Sequence, residues 1–279
     1  MQTMQMSRQG RRMIVQYINC KAYANEILEQ VRQIPDKKKL VIFTAGDDQA
    51  SKSYVKGKIR DCELCGIPYE HIIMPEDADE NDLGIEIIRK NMDDTVGGII
   101  VQLPLPLGWN EDYLTSRVHG QKDVDGFCAD SAFQPCTPEG IMYILKKEVG
   151  DLTGKHALVI GRGKLVGKPI VQMLLDENCT VTIAHSKTKD LNQLLNKAEI
   201  IISAAGKANL VDLTACWNAE AVIDVGVNRN EHGKLCGDCY NFREGESFPA
   251  KLKVTPVPGG IGLMTRAMLM KHVGDASCM

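Results

Sequence analysis

The chain has 279 residues, 44% of them hydrophobic and 25% charged, with a formal net charge of −3. That length exceeds the roughly 100 to 200 residues typical of one domain, so two domains are expected. No apolar run approaches the ~18 residues of a membrane span, and Lys and Arg form no basic block, which argues against a membrane or nucleic-acid partner and for a small molecule.

The opening stretch from Met1 to Met13 carries Arg8, Arg11 and Arg12 with no apolar core behind them, so it reads as a short first segment and not a secretory signal. Ten Cys fit a reducing, cytoplasmic compartment, where Cys behaves as a small apolar residue. The pairs Cys62/Cys65 and Cys236/Cys239 stand too far apart for a zinc ribbon, and no metal site is expected.

Lys39–Thr44 is a short apolar run closed by Ala45-Gly46-Asp47-Asp48, a strand and then a turn. A helix follows from Gln49 to about Cys65 and is stopped by Gly66-Ile67-Pro68. A strand near Tyr69–Met74, a helix over Glu80–Asn91 and a strand over Gly98–Gln102, stopped by Pro104 and Pro106, complete a βαβαβ order. The alternation restarts with a helix at Pro138–Lys147, a strand at Ala157–Ile160, a helix at Val166–Asp176 and a strand at Thr180–Ala184. Asn192–Lys197 reads as a short helix, Glu199–Ala204 and Ala221–Val225 as buried strands, and Met264–His272 as a closing helix. Two α/β units are the economical arrangement: residues 1–137, and residues 138–262, with 263–279 returning to the first.

His156–Ile160 runs directly into Gly161-Arg162-Gly163-Lys164-Leu165-Val166-Gly167 and then a helix, the context a dinucleotide fingerprint requires. The spacing is one residue longer than the common one. Glycine still permits a tight turn and brings backbone N–H groups close to a pyrophosphate at a helix start, although a purely structural turn would need the same residues. The acidic residue that marks NAD, about 20 residues on, is missing. Val181–Ala184 leads instead into His185-Ser186-Lys187, and with Arg162 these supply donors and positive charge to a ribose phosphate, which favours NADP. Solvated loop charges are the other reading of Arg162 and Lys187.

In the first unit Tyr54 and Lys58 stand at i and i+4 on one helix face, an aromatic hydroxyl beside a Lys suited to moving protons. A snorkelling surface Lys is the commoner outcome of such a pair. Lys56 should point elsewhere. Gln102 closes a strand just before Leu103-Pro104-Leu105-Pro106, where ligand crevices of open α/β sheets lie. Asp123 and Asp125 share a side if the segment is extended and would suit an amino-bearing ring, while a simple Asp turn fits equally well. The loop Thr255–Gly262, with Pro256, Pro258, Gly259 and Gly260, would let backbone approach a flat ligand.

From about Val41 to His272 these segments resemble the bifunctional methylenetetrahydrofolate dehydrogenase/cyclohydrolase family. The resemblance is carried by Gly46–Ser51 with Tyr54 and Lys58, Val101–Pro106, Lys122–Phe127, Pro135–Pro138, Gly161 and Arg162 with Val166 and Gly167, His185–Thr188, Ile223–Gly226 and Pro256–Gly260. It implies an N-terminal α/β folate-binding domain and a Rossmann-type NADP-binding domain, with the substrate cleft between them, usually in a cytoplasmic homodimer. The implied activity is NADP-dependent oxidation of 5,10-methylenetetrahydrofolate to the methenyl form and its hydrolysis to 10-formyltetrahydrofolate, a supply for purine biosynthesis.

By the same resemblance Lys58 is the general acid/base of the hydrolytic step, Gln102 holds it, Tyr54 packs against the folate and Asp125 bonds the amino-pterin ring. Leu103, Pro258, Gly259 and Gly260 complete the substrate site. Gly161, Arg162, Gly163, Val166, Gly167, His185, Ser186, Ala205, Gly206 and Val227 line the cofactor. Three departures stand out: Gly163 replaces a common Ser, the stretch from Phe127 to Pro135 is short, and Leu263 replaces a frequent Pro. A dehydrogenase without the hydrolytic step and a catalytically idle dinucleotide or folate sensor are the alternatives.

Overall fold

The computed structural model describes residues 13–14, 16–75, 77–241, 247–248 and 252–279, so the expectation for the opening stretch lies outside the described residues up to position 12. The chain divides into two compact units, one of Lys21–Gly140 with Leu263–Met279, the other of the described residues up to Cys20 with Ile141–Gly262.

In the first of these units three parallel strands form a sheet in the order Tyr69–Ile73, Lys39–Thr44, Val96–Val101. The apolar run Leu40–Phe43 is central and wholly buried, as a strand covered on both faces must be. The helix Gln49–Cys65 starts on Asp48, whose carboxylate accepts from Ser51 N at 2.6 Å. It ends at Gly66, whose φ of 65° is the left-handed conformation that closes helices at little cost only for glycine. The helix Glu80–Asn91 opens with a capping box between Asp79 and Asp82. Phe43, Leu83, Ile87, Ile99 and Leu114 fill the core on that side of the sheet.

The closing helix is longer than its sequence pattern, running over Ile261–Ser277. Met264, Met268, Met270 and Val273 are all buried, so the helix is apolar around much of its girth and no polar face marks its ends. Cys62 Sγ lies 3.6 Å from Met270 Sδ, and Arg266 Nε lies 2.8 Å from the buried Asp61 Oδ2. Two further helices, Cys20–Arg32 and Glu111–Thr115, were not anticipated.

The second unit carries a six-stranded parallel sheet in the order Gln16–Tyr17, Lys253–Val254, Ala221–Asp224, Ile200–Ser203, His156–Ile160, Thr180–Ala184. The chain leaves His156–Ile160 toward Thr180–Ala184 and then returns across it to Ile200–Ser203. That reversal is a topological switch point, and a ligand crevice opens there at the carboxyl ends of the strands. Leu158, Ile201, Val222 and Leu252 form its core. The sequence reading puts residues 1–137 together, whereas Gln16–Tyr17 extends this second sheet, with Gln16 N and Ile18 N donating to Leu252 O and Val254 O at 2.9 Å. The two-residue strand Lys253–Val254 would otherwise be an open sheet edge. Among the described residues no helix is long and apolar enough to cross a membrane.

Candidate active site

Residues 54 and 58 share one side of the helix Gln49–Cys65. Lys58 is only 3% exposed, and its ammonium sits over the Tyr54 ring, 5.3 Å from the centroid. It makes no hydrogen bond or ion pair with a described residue. Burying an amine without a hydrogen-bond acceptor is costly, and the face of the Tyr54 ring offsets only part of that cost. Lys56, two residues away, is exposed. Burial pushes the Tyr54 phenol far above its ordinary value, and the nearby Asp125 carboxylate adds to the shift, so Tyr54 stays protonated at neutral pH.

Gln102 is the first residue past the strand Val96–Val101, and its N–H donates to Phe43 O at 2.9 Å. Its Nε2 donates to Leu103 O at 2.7 Å, and Ser51 Oγ reaches the same carbonyl at 3.2 Å. Flipping the amide would set oxygen against that carbonyl, so the orientation is determined by the bond. Gln102 Oε1 is left buried and without a partner among the described residues, and no bond joins Gln102 to Lys58. Gln102 lines a cavity of about 350 Å³ with Thr44, Gly46, Ser51, Val55 and Lys56, while Tyr54 and Lys58 are not among its walls.

The two carboxylates of Lys122–Phe127 do different work. The segment is a turn, not an extended strand, and the buried Asp123 accepts from Gly126 N at 3.2 Å and Cys128 N at 2.7 Å. Asp125 is partly exposed, and its carboxylate takes no hydrogen bond from a described residue. Asp123 is thus the Asp turn, one of the two readings open in the sequence, and the shared side that an extended segment would give the two carboxylates is not formed. The turn is held from below by His272, whose Nδ1 lies 2.8 Å from Val124 O and whose Nε2 lies 2.6 Å from Glu139 Oε2. Phe133 stacks on the His272 ring at 4.8 Å. Nothing in the short stretch before Pro135 advertised this arrangement.

In the second unit, Gly161 follows the strand His156–Ile160 with a φ of 114°, and a Cβ there would stand 2.3 Å from Ala204 O. Gly167 packs against the Gly161 carbonyl and opens the helix Gly167–Asp176. These are cradle positions that any side chain would fill, whereas a Cβ on Gly163 would meet nothing within 4 Å. Arg162 and Ser186 are exposed, and Arg162 pairs with no carboxylate among the described residues. His185 N donates to Thr188 Oγ1 at 2.8 Å, and Lys187 N donates to His185 Nδ1 at 3.1 Å, which shapes the loop after the edge strand. Ala205, Gly206 and Val227 are exposed on the next two strand ends. Pro258 and Gly259 are exposed and Gly260 is buried, on the loop between Lys253–Val254 and the closing helix.

Sequence reasoning passed over two buried carboxylates in this unit, Asp224 and Asp238. Asp238 stands in Cys236-Gly237-Asp238-Cys239, where the Cys spacing is the local pattern and the acid carries no spacing signal of its own. Cys62 and Cys65 are buried in the apolar interior of the other unit, which raises their thiols to about 12 and about 11.

Residues 18–125 match the family described as tetrahydrofolate dehydrogenase/cyclohydrolase, catalytic domain, and residues 135–279 match its NAD(P)-binding domain. The chain is 43% identical over 249 residues to the bifunctional protein FolD of Bacillus mycoides, covering 85% of both chains. The crystal structure of the bifunctional FolD dehydrogenase/cyclohydrolase of Campylobacter jejuni superposes with a TM-score of 0.88 at 38% identity, over 95% of this chain and 99% of that one. The Trypanosoma brucei dehydrogenase-cyclohydrolase, solved with NADP and an inhibitor, gives 0.86 at 28% identity, over 96% and 98%. Two α/β units, a switch-point crevice behind a glycine cradle and a buried unpaired Lys come together with these matches in one conclusion: the chain belongs to the tetrahydrofolate dehydrogenase/cyclohydrolase family.

Proposed function

We propose that this protein oxidises 5,10-methylenetetrahydrofolate to the 5,10-methenyl form with NADP and then hydrolyses that cation to 10-formyltetrahydrofolate. The observation that carries the reading is Lys58, buried against the Tyr54 ring with no hydrogen-bond or ion-pair partner among the described residues. The folate-binding domain corresponds to the unit Lys21–Gly140 with Leu263–Met279, and the dinucleotide domain to the unit of Ile141–Gly262 with the described residues up to Cys20.

When bound, NADP supplies the hydride acceptor, and the protein's contribution to that step is positioning. Gly161 and Gly167 keep the entry to the helix Gly167–Asp176 open, and Val166 is its N-cap residue. Gly163, Ala205, Gly206 and Val227 offer accessible surface to the neutral parts of the dinucleotide. Arg162 with His185 and Ser186 answers the ribose phosphate, which is why NADP is preferred to NAD.

For the folate, Asp125 accepts from the amino-pterin ring, Tyr54 covers it, and Leu103, Pro258, Gly259 and Gly260 complete the site. Water adds to the electrophilic methenyl carbon, and ring opening requires a proton to leave one atom and reach another. Lys58 holds and returns that proton, and Gln102 Oε1, buried and without a partner among the described residues, is left to accept from the substrate or its water. The protein acts as a cytoplasmic homodimer that serves purine synthesis.

Lys58→Met tests the assignment. Methenyl hydrolysis should fall by about 10²-fold or more, the range a positioned acid/base supplies, while the circular dichroism spectrum is retained. Hydrolysis at the wild-type rate would remove Lys58 from the mechanism. The dehydrogenase assayed in parallel with NADP and NAD checks the cofactor, and a clear preference for NAD would overturn the reading of Arg162 and Ser186.

A further inference from the structure

Asp238 is 0% exposed, yet its carboxylate accepts five hydrogen bonds. Oδ2 takes Ser203 Oγ at 2.8 Å, Ala205 N at 3.0 Å and Gly206 N at 3.2 Å. Oδ1 takes Lys207 N at 2.8 Å and Asn228 Nδ2 at 2.9 Å. A carboxylate has about four lone-pair directions, so Asp238 has no capacity left for a ligand. Asp224, itself buried, accepts from Gly226 N at 3.1 Å, Asp238 N at 2.9 Å and Cys239 N at 2.9 Å. The close approach leaves no room for side chains at the two flanking glycines. A Cβ on Gly226 would lie 2.0 Å from Asp238 Oδ1, and one on Gly237 2.0 Å from Asp224 Oδ2.

The donors come from the loops that leave the strands Ile200–Ser203 and Ala221–Asp224 at their carboxyl ends, on the edge of the switch-point crevice. Three successive backbone N–H groups, at 205, 206 and 207, would ordinarily form an anion-binding concavity on that edge. Here all three are turned inward and consumed by Asp238.

We propose that Asp238 is a positioning residue for the dinucleotide: it ties Ser203, residues 205–207 and Asn228 into one rigid edge, and by taking their N–H groups it denies that edge to phosphate. Anchoring of the pyrophosphate then falls to the Gly161–Gly167 loop, and the 205–207 loop presents its outward carbonyl and Cα surface to neutral portions of the cofactor. The inference rests on the NADP reading above.

The test compares the full-length protein with Asp238→Asn and Ser203→Ala. Asn keeps the shape of Asp but sets an NH₂ group against the converging donors, and Ser203→Ala removes one donor while leaving the carboxylate in place. The dissociation constant and the KM for NADP should rise about tenfold or more in Asp238→Asn and about threefold in Ser203→Ala, the effects of losing several buried bonds and one. Methenyl hydrolysis, which uses no dinucleotide, serves as the fold control and should stay within about twofold in Ser203→Ala, which loses a single hydrogen bond in the dinucleotide unit. Unchanged NADP affinity in either variant with hydrolysis intact would overturn the proposal. If Asp238→Asn loses both activities, Ser203→Ala decides, and a parallel decline of both activities there would assign Asp238 to stability alone. Failure of the wild-type protein to bind NADP would instead refute the cofactor reading.

Discussion

Gly161 and Gly163 lie two residues apart in one loop, and their surroundings make opposite demands. Gly161 needs both its φ of 114° and its missing Cβ, because the Ala204 carbonyl occupies the place a methyl would take. Gly161→Ala should therefore cost about 2–3 kcal/mol of stability, the scale of a forced positive φ with a backbone clash, and should weaken NADP binding with it. Gly163 has open space and no unusual φ. Gly163→Ser should change stability by less than about 0.5 kcal/mol, while its hydroxyl adds a donor near the cofactor phosphates and lowers the NADP dissociation constant about threefold. Urea unfolding with fluorescence titration measures both. Equal effects at the two sites would mean that the loop is not built around Gly161.

At the scale of elements, legibility follows the strength of the local signal. The helices Gln49–Cys65 and Glu80–Asn91 begin on Asp caps, and the first ends on Gly66, so their limits are written in the sequence. Cys20–Arg32 carries the same kind of signal, since Cys20, Ala24, Ile27 and Val31 are buried at helical spacing, but no glycine stop marks its end. Glu111–Thr115 has five residues, too few for a period to register. In the site, Tyr54 with Lys58 and the Gly loop are local patterns and were visible. Asp238 acts on Ser203 and Asn228 from afar, and His272 on Val124, which no spacing rule detects.

The pairing of helix Cys136–Glu148 with helix Ile261–Ser277 carries its own pH signature. Burial raises the Glu139 carboxyl, but the hydrogen bond to His272 and the charges of His272 and Lys271 outweigh it and hold the group below its ordinary 4.5. A carboxyl depressed in the folded state contributes stability above its unfolded value and loses that contribution as pH falls through the folded one. Wild type should exceed Glu139→Gln by about 1–3 kcal/mol near pH 6, and the gap should close as pH falls from about 4.5 toward 3. Urea titrations across that range check it, and a gap independent of pH would separate Glu139 from the coupling.

For the whole molecule, the decisive feature is that one unit is built from two distant stretches, Lys21–Gly140 and Leu263–Met279. Three contacts show what the second stretch supplies. Met270 meets Cys62, a Cβ on Gly98 would lie 3.2 Å from Val273 Cγ2, and one on Gly140 would lie 3.0 Å from Met264 Cβ. Arg266 pairs with the buried Asp61 and offsets part of the effect of burial, which still holds that carboxyl above its ordinary value. Met264, Met268, Leu269, Met270 and Val273 are at most 1% exposed. At about 1.5–3 kcal/mol for each buried side chain, their removal withdraws an amount comparable with the about 5–15 kcal/mol net stability of a whole domain. A fragment of residues 21–140 should therefore fail to fold although it spans nearly all of the family's catalytic-domain match. Joining residues 263–279 to it through a flexible linker should restore a cooperative urea transition. A sharp transition in the bare fragment would show that the closing helix is dispensable. Its absence, and its recovery in the linked chain, would show why the stretch Lys21–Gly140 depends on the distant helix Ile261–Ser277.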